Sequence, residues 1–211
     1  RFTKHITFIV ALAWALFQLS TASWLLLDSL FVKSFHLAFA MTLVYLNLPT
    51  LKSGTKSRWD LRILLAMKRV TLVDWALGAL AALSALYIFL AYARISERPG
   101  PPIGRDLIFG VMLIVLMLEA TRRVLGPALP IICGGFMAYV FLGPYLPDLV
   151  AFKGATLSRF ISQITMDTQG IYGVPLHVSA TVVFLFVLFG TMLDRAGGGA
   201  FFTRIAISGL G

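Results

Sequence analysis

The sequence predicts an all-α membrane protein of about six transmembrane helices, with an interfacial amphipathic helix near residues 156–167 and a truncated helix at the C-terminal end. Three observations predict it. Hydrophobic residues make up 59% of the chain and charged residues only 13%, and mean hydropathy is +0.89, outside the composition of soluble domains. Apolar runs recur at about the length a helix needs to cross roughly 30 Å of hydrocarbon, where each peptide group must be satisfied within its own segment. Lys and Arg gather in the connectors between these runs rather than on one soluble face, so the net charge of +9 points to an anionic lipid bilayer and not to nucleic acid.

The first run, Ile6 to Leu27, is too long and too continuous with the second to be a cleaved signal peptide. Asp28 and Lys33 supply a brief polar turn. The second run extends from Ser34 to about Leu51, with Pro49 at its end, where a missing amide donor costs least. Residues 52–70 then carry Lys52, Lys56, Arg58, Arg62, Lys68 and Arg69 against Asp60 alone, the mark of a cytoplasmic loop. Trp59, Leu61, Leu64 and Leu65 are interleaved with these charges. Two readings stand there: a short basic helix on the anionic leaflet, or a solvated loop.

The third run is Val73 to Ala93. The Pro/Gly-rich connector 94–105 places the main internal boundary, dividing the chain into a first part over 1–105 and a second over 106–211. The fourth run begins at Asp106, whose carboxylate suits a helix N-terminus, and ends at Leu125 before Gly126-Pro127. Ala128 to Leu142, the fifth run, is short and bendable through Pro130 and Gly134-Gly135.

Leu157, Phe160, Ile161 and Ile164 fall at i, i+3, i+4 and i+7, with Ser158, Arg159, Ser162 and Gln163 covering the other side. This amphipathic helix is too short and polar to span, and is expected in the interface. The sixth run is Leu176 to Leu193, after which Asp194 to Gly199 turns the chain into an incomplete helix from Ala200. Arg1 in place of Met, and a helical pattern still running at Gly211, read as cuts in a longer polypeptide.

With the 52–70 loop inside, alternate crossings put Arg1, Lys4, the six loop cations, Arg122, Arg123, Arg195 and Arg204 inside, against Lys33, Arg94, Arg98, Arg105, Lys153 and Arg159 outside. This two-to-one bias predicts a cytoplasmic N-terminus.

Catalytic and metal chemistry have little to stand on. His5, His36 and His177 have no metal-ligating partner at helical spacing, and no G-x-S-x-G element, P-loop or dinucleotide glycine pattern occurs. The expectation is no enzyme, no metal and no bound cofactor. Cys133, the only cysteine, reads as packing. Glu119, Arg122 and Arg123 are spaced to form a structural ion pair at a helix end, with a substrate or coupling role as the other reading. Gly170, Gly173 and Pro175 break the path into the sixth run, which either turns a corner or opens a cavity. Gln169, Ser179 and Thr181 are the nearest polar side chains and the weak candidates for substrate contact.

The segments Leu118-Glu119-Ala120-Thr121-Arg122-Arg123-Val124-Leu125-Gly126-Pro127 and Thr168-Gln169-Gly170-Ile171-Tyr172-Gly173-Val174-Pro175-Leu176-His177 resemble the fused permeases of tripartite ATP-independent periplasmic (TRAP) transporters. So does Asp194-Arg195-Ala196-Gly197-Gly198-Gly199. The likeness is to the branch served by TAXI-type receptors, and covers residues 106–211 well and 1–105 in pattern only; it implies small-subunit-like membrane helices over 1–105 and the start of the large transport subunit over 106–211. It implies a secondary active transporter of a bacterial or archaeal inner membrane. Such a transporter takes a small organic acid or amino acid from a soluble periplasmic substrate-binding protein and imports it with an ion gradient, usually Na+. The family's ligand-holding hairpins would lie beyond Gly211, leaving these helices as scaffold and access. Arg98 and Arg105, on the outward connector, are the candidates for receptor contact. The alternative is a non-transporting membrane assembly or anchoring subunit.

Overall fold

Polar side chains and prolines set where several of the helices begin. The computed structural model describes residues 2–48, 66–67, 70–97, 102–147 and 151–210. Helix α1 (Phe2–Ser23) is followed by a short irregular stretch ending at Asp28, whose carboxylate accepts from the Leu30 N–H at 2.8 Å and starts α2 (Ser29–Asn47). The cap is Asp28 itself, so α2 begins at Ser29 rather than Ser34. That draws Lys33 out of the expected polar turn and into the helix, where it is buried.

A two-residue antiparallel pair, Ala66–Met67 with Val70–Thr71, precedes α3 (Leu72–Leu90), and α4 (Tyr92–Ser96) follows after a one-residue break. Next, α5 (Gly104–Leu125) starts one turn's edge ahead of Asp106; the Asp106 carboxylate accepts from the Ile103 N–H at 2.9 Å and also from the Tyr87 hydroxyl. Then α6 (Ala128–Leu142) runs into a 3-10 turn, Gly143–Tyr145.

The amphipathic segment is α7 (Leu157–Ile161) continued by a π turn, Ser162–Met166. After the Gly170–Gly173 break comes α8 (Val174–Val178), with Pro175 in its first turn where no N–H is needed. A second π turn, Ser179–Val183, then leads into α9 (Phe184–Arg195). The last described helix, α10 (Gly198–Leu210), starts two residues before the expected Ala200.

Five of these segments are long and apolar enough to cross a membrane: Lys4–Ser23, Ser29–Asn47, Leu72–Leu90, Ala128–Tyr145 and Val174–Arg195. Six crossings were expected. The remaining candidate, α5, is 22 residues long, about 33 Å at helical rise, but carries Arg105 and Asp106 at one end and Glu119, Arg122 and Arg123 at the other.

The core lies where α2, α3 and α5 meet: Leu37, Ala38, Met41 and Tyr45 from α2, Ala81, Ala85 and Ile88 from α3, and Leu113, Leu116 and Ala120 from α5, with Tyr172 completing it. Residues on both sides of the 94–105 connector therefore share one core. Small residues make the close approach possible, since Gly78, Ala81 and Ala85 bring the α3 backbone onto α2. At Gly110 on α5 a Cβ would overlap Ile161 and lie 2.8 Å from Thr165 Oγ1, so the buried face of the α7 segment packs directly on the α5 backbone. The six cations of segment 52–70, together with Arg98, lie outside the described residues.

Candidate functional site

Two polar clusters are built into an otherwise apolar bundle. The first is charged. On α5, Glu119 accepts from Arg122 at 2.7 and 2.8 Å and from Arg123 Nε at 2.9 Å. The two arginines then part company: the Arg122 side chain is 45% exposed and that of Arg123 only 2%. Arg123 Nη1 donates to Asp74 Oδ1 on α3 at 2.8 Å and to the Leu48 carbonyl after α2 at 2.9 Å, while its guanidinium lies 4.3 Å from the Tyr45 ring centroid. The Tyr45 hydroxyl in turn donates to the Leu116 carbonyl at 2.8 Å. One guanidinium thus joins three helices, and each buried charge in the cluster meets an opposite one.

The second cluster is a seam between α1, α2 and the broken segment 172–180. Ser29, Lys33 and His36 share one face of α2 at i, i+4 and i+7, and each meets that segment. Ser29 Oγ lies 3.1 Å from His177 Nδ1, Lys33 Nζ donates to the Tyr172 carbonyl at 2.7 Å, and His36 Nε2 lies 3.3 Å from Ser179 Oγ. The Tyr172 hydroxyl and Ser34 Oγ both donate to the Ala85 carbonyl, at 2.8 and 2.6 Å. Burial raises the pKa of the Tyr172 phenol, so it stays protonated and able to donate.

Above this seam the His36 ring is held by donors. Trp14 Nε1–H, which can only donate, points at His36 Nδ1 at 3.3 Å, and Gln18 Nε2 approaches the same nitrogen at 3.1 Å. That assignment puts the ring proton on Nε2, where it donates to Ser179. Gln18 Nε2 also donates to the Ala180 carbonyl in the second π turn. Trp14 and His36 pack against Phe184, with ring centroids 4.7 and 5.8 Å apart. Gln18 is 1% exposed, and its Oε1 is a buried acceptor with no hydrogen-bond partner among the described residues.

No family model, curated protein or solved structure matches the chain.

Of the candidates read from the sequence, Glu119, Arg122 and Arg123 form one network, and Ser179 belongs to the seam. Thr181 donates back to the His177 carbonyl at 2.8 Å, and Gln169 and Arg105 are exposed. Arg98 lies outside the described residues. Among those described, no three His, Cys, Asp or Glu side chains are grouped to hold a metal ion.

Sequence reasoning passed over Gln18, His36 as a seam residue, Lys33 as a buried cation, and Asp74. The signal for Asp74 was available. An acid inside an otherwise apolar run is costly in lipid and demands a partner, and Arg123 is one of few candidates.

Proposed function

We propose that the chain is a membrane permease component of a TRAP-type secondary active transporter, supplying scaffold and access helices for a small organic acid or amino acid delivered by a periplasmic binding protein. A sodium gradient is the expected drive, the compartment is the inner membrane, and α5 is the sixth crossing with the N-terminus in the cytoplasm. The observation that carries this reading is the discontinuous segment 167–183. It breaks at Gly170–Gly173, resumes as α8 and a π turn, and presents backbone carbonyls to Lys33 and Gln18 and the Ser179 hydroxyl to His36. Interrupted helices facing buried polar groups are how secondary transporters place backbone dipoles at solutes. The sequence likeness at the same segment points the same way.

The test is uptake in proteoliposomes with an imposed sodium gradient. The full open reading frame with its binding protein is expected to accumulate a small carboxylate, and residues 1–211 alone are expected not to. Sodium-dependent uptake by residues 1–211 at the full rate would remove the scaffold reading. The second reading, a non-transporting assembly or anchoring subunit, draws on the charged cluster, which only needs to hold helices together. Absence of uptake by the full reading frame under every gradient would favour it. Orientation is testable on a Cys133→Ser background, where single cysteines at Arg105 and Arg195 should be labelled from opposite sides of the membrane.

A further inference from the structure

On the side of the α7 segment away from Gly110, the chain forms an open cleft of about 500 Å³ whose polar lining is Thr156, Ser158, Arg159, Ser162, Gln163 and Asp167. Its volume lies in the range that takes small molecules, about 300–1,000 Å³. Arg159, Gln163 and Asp167 follow one another at intervals of four. On a regular α-helix eight residues overrun two turns by about 80°. The wider π turn over Ser162–Met166 takes up most of that overrun and returns Asp167 toward the Arg159 face. The π turn thus puts a cation and an anion on one wall.

Among the described residues, neither charge is spent elsewhere in an ion pair. The three ion pairs among the described residues involve Glu119, Arg122, Arg123 and Asp74 only. Arg159 and Asp167 are both exposed to the cleft side, and Thr168 Oγ1 lies 3.4 Å from Asp167 Oδ1. A guanidinium offers two parallel N–H donors that match a carboxylate or phosphate, and the neighbouring hydroxyls add further donors. A carboxylate at the other end matches an ammonium group.

We propose that this cleft binds a zwitterion, a molecule carrying a carboxylate or phosphate on Arg159 and an ammonium on Asp167. Two sources share that chemistry: a free amino acid, and the headgroup of an ethanolamine phospholipid. Leu157 and Ile103, next in sequence to lining residues, are 52% and 40% exposed and offer apolar surface for acyl chains in the second case. The site is separate from the α1–α2 seam, and its occupancy does not require transport.

The experiment is equilibrium binding of radiolabelled O-phosphoethanolamine and L-serine to residues 1–211 in phosphatidylglycerol nanodiscs. Saturable binding is expected. Arg159→Gln and Asp167→Asn, both at exposed positions, should each weaken it about tenfold, the scale of one lost charge-assisted hydrogen bond, while Arg204→Gln, at an exposed position on α10, leaves it unchanged. Methyl phosphate and methylammonium, each satisfying one charge, should compete at least tenfold more weakly than the zwitterion. Repeating the measurement in phosphatidylethanolamine nanodiscs separates the sources: loss of soluble-probe binding assigns the cleft to the lipid headgroup, and retention assigns it to a free amino acid. Absence of saturable binding, binding indifferent to both substitutions, or methyl phosphate competing as well as the zwitterion would overturn the proposal.

Discussion

The charged cluster at Asp74, Glu119 and Arg123 and the seam at Gln18, Lys33 and His36 are both buried polar groups in an apolar bundle, yet they are built oppositely. In the cluster, charges oppose charges on regular helices, and the Arg123 guanidinium is held by two carboxylates, a carbonyl and a ring face. In the seam, side chains meet the backbone and side chains of an interrupted helix, contacts are largely neutral, and one acceptor, Gln18 Oε1, has no partner among the described residues. The difference teaches where the bundle is fixed and where it has room to rearrange. Saturated charge networks resist change because breaking one bond strands a buried charge. A seam of single hydrogen bonds to an irregular segment can exchange partners at lower cost.

The largest effect is expected in the cluster. Asp74→Ala removes the carboxylate from a pair whose side chains are 0% and 2% exposed, and loss of one partner of a buried pair costs about 3–5 kcal/mol. Thermal unfolding in detergent should show it as a large drop in midpoint or as failure to accumulate folded protein. A change under about 1 kcal/mol would mean that Arg123 does not depend on Asp74.

Lys33→Met is the corresponding step in the seam. It deletes the charge-assisted bond to the Tyr172 carbonyl while keeping most of the buried stem, for about 1.5–3 kcal/mol. Because this bond holds the broken segment, protease cleavage or hydrogen exchange should rise selectively over residues 167–180. Uniform exchange along the chain would remove the contrast between the two regions.

Smaller still is Gln18→Leu, which loses the amide's two contacts but also relieves the unmet oxygen. These terms oppose each other, and the net change is expected within about 1 kcal/mol of zero. The same substitution should nevertheless reduce uptake by the full reading frame if the seam carries transport. At the bottom of the scale, Arg122→Ala removes the exposed arm of the Glu119 pair, and the unfolding midpoint should not move measurably. A clear shift there would mean that the exposed and buried arginines act as one unit.

Much of the fold was legible before any coordinates because it depends on local properties. Hydropathy named the solvent, run lengths placed five of the six expected spans, their ends to within about five residues, and a 3.6-residue period isolated the α7 segment. Helix starts went wrong where a cap lay a few residues away from the first apolar position, as at Asp28. The sites were less legible. Spacing alone joined Glu119 to Arg122 and Arg123, since three and four residues along a helix are always neighbours.

No such rule joins Asp74 to Arg123, 49 residues apart, Lys33 to Tyr172, 139 apart, or Gln18 to Ala180, 162 apart. α3 is apolar on nearly every side, so its pattern does not say which face turns inward. The sequence by itself determined that these helices belong in lipid and roughly where each begins. Only the tertiary structure decided which polar side chains meet, because partner choice depends on the rotation and spacing of neighbouring helices. Close contacts at positions such as Gly78, Ala85 and Gly110 set those, not the periodicity of any one segment.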